Sequence, residues 1–251
     1  MARGDILERG NIYFAYRPRV EQSAAGGIED VQRFFMILSP HGRKQYRLIV
    51  IGRKRLPEIG VQHERNWGFV QKVGRRPEDV ENELEAFDYS TKTRGERHLS
   101  PARPAGEGVY AIVRHGDHTH LAYALELPRE PGPVQQELKI EPQASYILTV
   151  KNSEEPSPPD VGLEEEQQPQ FPVDLTARFR KRRFAPADPP DFLDREGTEI
   201  ILIGADEDVR GELGISLDPE HETMDTAEIF RDLHMERSKH PLEPLFQGKW
   251  V

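Results

Sequence analysis

Apolar runs and alternations divide the first 152 residues into short β segments. Residues 11–16 are aromatic and β-prone, and Pro18 makes this run an edge strand or marks its end. Residues 31–38 and 45–51 are two strong runs joined by a turn with Pro40 and Gly42, which predicts a hairpin. Phe34 to Leu38 and Leu48 to Ile51 are continuously apolar. Strands apolar on both faces are covered on both faces, so these two should be central. Residues 66–73 are a further strand. Pro77, Glu78 and Asp79 then open a helix whose apolar face is Val80, Leu84 and Phe87.

The clearest hairpin spans residues 105–127. The run 109–114 is β-rich, a polar segment with Gly116 and Asp117 follows, and the run 121–127 alternates strictly. Leu121, Tyr123, Leu125 and Leu127 point one way; Ala122, Ala124 and Glu126 point the other. Residues 144–150 form a last strand. Between helix and hairpin, residues 88–108 show little periodicity and carry Arg94, Arg97, His98 and Arg103, which reads as a covering flap or part of a site.

Residues 153–170 are acidic, proline-rich and poor in large apolar side chains. They cannot bury enough surface to offset their ordering entropy, which predicts a linker. Beyond it come a helix from Pro172 presenting Leu175 and Phe179, a basic run at 180–183, a buried strand at 199–203 and a helix over 226–234. One strand and two helices make a poor independent core. The expected fold class is therefore α+β: a mostly antiparallel curved sheet or small barrel with a few short helices, carrying a docked C-terminal α+β extension. The corresponding division is a β-rich domain over 1–152, a linker over 153–170 and an acidic extension over 171–251.

Charge sharpens this division. The chain of 251 residues carries a net charge of −10, but residues 1–152 hold 23 Lys and Arg against 20 Asp and Glu, and residues 153–251 hold 11 against 24. An acidic C-terminal part repels phosphate backbones, so nucleic acid is not the expected partner. The chain has no cysteine, which removes disulfides, zinc–thiolate sites and cysteine nucleophiles and fits a reducing, cytoplasmic setting. It also lacks an apolar run long enough for a membrane span and a leader-like N-terminus, so neither a membrane nor secretion is expected.

Candidate chemistry is concentrated in one place. His115, Asp117, His118 and His120 gather at the hairpin turn, and imidazole with carboxylate suits a borderline divalent metal. Their spacing matches no zinc signature, and polar turns carry such residues for backbone reasons. Arg94, Arg97 and Arg103 are the candidate anion-binding residues, placed to neutralise a phosphate if the flap covers the histidines. The basic runs 53–55, 75–76 and 180–183 are further places for phosphate, the last bracketed by Phe179 and Phe184. The acidic linker is an equally good intramolecular partner for that last run. No Walker, dinucleotide-binding or nucleophile-elbow motif is present.

The strand at 121–127, Leu-Ala-Tyr-Ala-Leu-Glu-Leu after His115, is similar in its apolar skeleton to a strand of the 3′-phosphoesterase domain attached to some bacterial DNA ligases. There a histidine precedes Leu-His-Tyr-Asp-Leu-Arg-Leu. The likeness covers about a dozen residues, of a kind that strand alternation produces on its own. Ala122 and Ala124 stand where that family keeps its chemistry, so the resemblance carries over no site residue and assigns no family.

Two functions follow as expectations. The first is a soluble cytosolic binding or interaction protein without a catalytic apparatus or evident cofactor, using the flap and the Trp250 tail to contact a protein or a small molecule. The alternative is a metal-assisted phosphoester hydrolase with His115, Asp117, His118 and His120 as ligands.

Overall fold

The computed structural model describes residues 3–61, 64–91, 95–158, 162–220 and 222–251. Its strands are β1 (Asp5–Pro18), β2 (Val31–Pro40), β3 (Tyr46–Ile51), β4 (Arg65–Gly74), β5 (Phe87–Thr91), β6 (Gly95–Leu99), β7 (Arg103–His115), β8 (His118–Leu127), β9 (Gln143–Lys151), β10 (Phe184–Pro186) and β11 (Glu199–Gly204). Eight of these close an antiparallel barrel in the order β9-β11-β4-β3-β2-β1-β7-β8, and β8 returns to β9. The expected curved sheet is thus a closed barrel, which leaves no long open edge.

Alternation builds the two faces of each stave. Phe34, Met36 and Leu38 of β2 join Ile49 and Ile51 of β3, Tyr110 and Ile112 of β7 and Leu121 and Tyr123 of β8 in the main core. The opposite faces are covered too, as the continuous apolar runs require. Phe35, Ile37, Leu48 and Val50 pack with Val80 and Leu84 of α1 (Glu78–Leu84), Ile229 of α2 (Glu228–Asp232) and Leu245 of α3 (Glu243–Gln247). Ala111, Val113, Ala122 and Ala124 form a shallow patch that receives Val209 and Leu213 of α4 (Val209–Leu213). Small side chains at those four positions let the helix approach the strands closely.

Two expected elements differ. The helix from Pro77 stops at Leu84, and Phe87 leaves its face to open β5, 47% exposed. Residues 88–108 are also more ordered than their weak periodicity implied. They contain the β5–β6 ribbon, with Phe87 opposite Leu99 and Tyr89 opposite Arg97, and then the start of β7. A two-stranded ribbon with polar side chains on both faces leaves no period-2 apolar trace.

The C-terminal part does more than dock. β11 is a stave of the barrel, paired with β4 on one side and β9 on the other. The linker is tied down through Glu199 of β11, which accepts from the Ser157 hydroxyl at 2.7 Å and the Leu163 amide at 3.0 Å and pairs with the buried Lys151 at 3.2 Å. Among the described residues no helix is long and apolar enough to cross a membrane.

Candidate functional site

The hairpin between β7 and β8 turns on two residues, Gly116 and Asp117, with His115 paired to His118 and Arg114 to Thr119. Gly116 has φ +59°, the left-handed conformation that a two-residue hairpin needs and that a β-carbon would strain. β8 therefore starts at His118, and it reaches β9 only from the level of Ile147 down. The rest of that β9 edge is taken by β10, whose Pro186 pairs with Thr149 and whose Phe184 pairs with Lys151. Two strands that share one edge leave a gap where the first begins and the second ends. A cavity of about 370 Å³ occupies the gap.

Its wall on the hairpin side consists of Arg114, Asp117, His118 and Thr119. The other wall comes from the end of α5 (Val173–Arg178) and the segment running into β10: Arg178, Arg180, Arg182 and Phe184, with Asp188 beyond. This wall is anchored. Phe179 is buried and its ring lies 5.6 Å from Phe171 and 5.3 Å from Phe192, so the arginines on either side of it are carried by a fixed core residue. Arg180 and Lys181 both have positive φ, 48° and 62°. Two consecutive non-glycine residues in that region are costly, and such strain concentrates at functional segments.

The charges in the cavity are unevenly matched. Arg114 Nε pairs with Asp188 Oδ2 at 2.8 Å. Arg178, Arg180 and Arg182 are exposed and have no ion pair with any described residue. No described linker carboxylate docks on them; the described linker meets the basic run through Arg183 Nη2, which donates to the Pro156 carbonyl at 2.9 Å. Thr119 is fully buried beside the cavity, and its Oγ1 has no hydrogen-bond partner among the described residues. A buried hydroxyl left without a partner costs about 1–3 kcal/mol. Several polar groups lining a second cavity, about 500 Å³ near β1, are instead paired with one another. There Asn11 bridges Asp232 and His41, and Arg231 pairs with Glu228 and Asp232.

The sequence-predicted residues separate into three groups. Asp117 and His118 line the cavity. His115 and His120 do not; their rings lie 5.9 Å apart, and His120 Nδ1 is 3.6 Å from Glu212 Oε1 of α4. His120 is 4% exposed, and its Nδ1 makes no hydrogen bond with a described residue. Burial, with the His115 and His118 charges beside it, pushes its pKa down to about 4. Glu212 is pushed up by burial, and its other oxygen accepts from the Ser145 hydroxyl. Among the described residues no group of three or more His, Asp or Glu side chains is gathered as a metal site requires.

The flap arginines are elsewhere. Arg103 opens β7 and His115 ends it, a separation of about 40 Å along the strand. Arg103 is 2% exposed and donates to the carbonyls of Pro101 and Ser23. Arg97 lies 3.8 Å from Glu21. Arg94 lies outside the described residues. The structure thus does not bring Arg97 or Arg103 to the histidines. It brings Arg114, Arg178, Arg180 and Arg182 to the hairpin instead. The basic run and its bracketing phenylalanines were visible in the sequence, but their neighbour was not, because β10 is three residues long and has no readable period.

No protein-family model matches the chain, and no curated protein or solved structure matches it either.

Proposed function

We propose that this protein is a non-catalytic ligand-binding barrel whose ligand is a small, multiply charged anion of the phosphate class, held between the β7–β8 hairpin and the segment entering β10. One observation carries the reading: three guanidinium groups without partners among the described residues line one cavity. Planar guanidinium forks suit phosphate oxygens. The alternative, metal-assisted phosphoester hydrolysis, would draw on the same anion pocket, but among the described residues no ligand set is gathered for it.

Isothermal titration at low salt with inorganic phosphate and pyrophosphate should show saturable one-site binding that weakens as salt rises. The double substitution Arg180→Gln/Arg182→Gln removes two exposed charges and little packing. It should lower the affinity about 10- to 100-fold, since hydrogen bonds to charged groups contribute about 1.5–3 kcal/mol. Arg53→Gln, remote from the cavity, should leave it unchanged. If neither anion binds saturably, this reading is wrong.

A further inference from the structure

We infer that the anion is the phosphate of a free nucleoside monophosphate. This rests on the anion-binding reading above and adds to it the body that the phosphate carries. The cavity, about 370 Å³, is far larger than a phosphate group and falls within the range of pockets that take whole organic ligands, about 300–1,000 Å³. Its walls are also not uniformly basic. They present three kinds of group, and these correspond to the three parts of a nucleotide.

The guanidinium groups of Arg178, Arg180 and Arg182 suit the phosphate dianion. Asp117, exposed at the turn, makes no hydrogen bond or ion pair with a described residue. A carboxylate in a pocket otherwise built for an anion works against phosphate unless it meets a donor, and the vicinal hydroxyls of a ribose are such donors. Phe184 supplies an aromatic surface. Its ring makes a T-shaped contact with Trp67 at 5.9 Å and carries the Arg183 guanidinium over one face at 5.7 Å, so it is held in place, and it remains only partly buried. A base has a π-face whatever its identity, so such a ring gives binding with little base preference. The chain's net charge of −10 disfavours each additional phosphate, which favours a free mononucleotide over the end of a strand.

A ligand series on the full-length protein tests this. Adenosine 5′-monophosphate and cytidine 5′-monophosphate should bind within a few-fold of each other and about tenfold more tightly than ribose 5-phosphate, the advantage expected of base–aromatic stacking. Phe184→Leu should bring all three to similar affinities while leaving inorganic phosphate unaffected. Asp117→Asn should weaken ribose 5-phosphate and both nucleotides but not inorganic phosphate. A 5′-phosphorylated trinucleotide should bind more weakly than the mononucleotides. The inference is overturned if inorganic phosphate, ribose 5-phosphate and the nucleotides bind equally, or if the trinucleotide binds best; the anion-binding reading survives both results. If no phosphate compound binds, both readings fall. The comparison among ligands on the unmodified protein decides the matter even if Phe184→Leu perturbs folding.

Discussion

Replacing Arg47 with methionine should destabilise the barrel by about 3–5 kcal/mol, the usual cost of removing one partner from a buried ion pair. Arg47 lies on β3 with a fully buried side chain. Its Nη1 is 2.6 Å from Glu8 Oε1, its Nη2 is 3.0 Å from Glu8 Oε2, and its Nε is 2.7 Å from Asp194 Oδ1. The Tyr110 hydroxyl also donates to Glu8 at 2.7 Å. Methionine fills the space of the stem but leaves the Glu8 carboxylate, itself 8% exposed, without its cation. For a chain of this size the loss corresponds to a fall in Tm of about 8–15 °C. Arg47→Met/Glu8→Gln removes the stranded charge as well and should recover part of the loss, because the penalty lies mainly in the unpaired carboxylate and not in the missing contact. Thermal melts followed by circular dichroism measure both variants. An unchanged Tm in Arg47→Met would mean that Glu8 and Asp194 are solvated and that this network is not a structural joint.

That joint was not legible in the sequence. Glu8, Arg47 and Asp194 come from β1, β3 and the turn before β11, and nothing in the spacing of three charged residues says they will meet. What was legible came from periodicity. The alternation in β8 and the two-sided apolar runs of β2 and β3 are consequences of one stave geometry repeated, so the barrel could be read from them. The weak signals were the short or polar elements: the β5–β6 ribbon, the three residues of β10, and β11, whose role as a stave depends in part on β4, more than a hundred residues away. The candidate site inherits this limit. Its two halves, hairpin turn and basic run, each carry a local signature of charge and turn chemistry. Their juxtaposition follows only from β10 taking the end of the β9 edge that β8 leaves vacant. For the same reason, sequence reasoning paired the histidines with the flap arginines, of which Arg103 is close in the chain but stands at the far end of β7 from His115.

The protein should be more stable near pH 6 than near pH 8, opposite to the trend of proteins whose carboxylates are held by cations. Glu107 and Glu126 project from β7 and β8 under the C-terminal segment. Glu107 accepts from the amides of Glu228 and Ile229, at 2.6 and 3.0 Å, and Glu126 accepts from the amide of Glu220 at 2.6 Å. Burial nonetheless dominates, and further carboxylates around them, Glu222 among them, add to it; each is pushed up from 4.5 to about 7. A carboxyl with a higher pKa in the folded than in the unfolded state binds its proton more tightly when folded. Its ionised form is therefore destabilising above the folded pKa, and that cost is relieved as the pH falls from about 7 toward the unfolded value. Glu141, Asp194 and Glu212, also pushed up by burial, act in the same direction. His120 and His240, pushed down by burial, oppose it below the ordinary histidine range, where the unfolded chain takes up the proton first. Over this interval the two glutamates outweigh His120, and the balance is about 2 kcal/mol in favour of pH 6, or about 4–8 °C in Tm. Glu107→Gln/Glu126→Gln should flatten the profile between the two conditions, because the groups that release protons are gone. Melts at the two pH values in matched ionic strength check this. A wild-type Tm that is equal or higher near pH 8 would show that both carboxylates ionise freely in the fold, and that the segment from Glu220 to Ile229 is docked by charged acceptors at no cost.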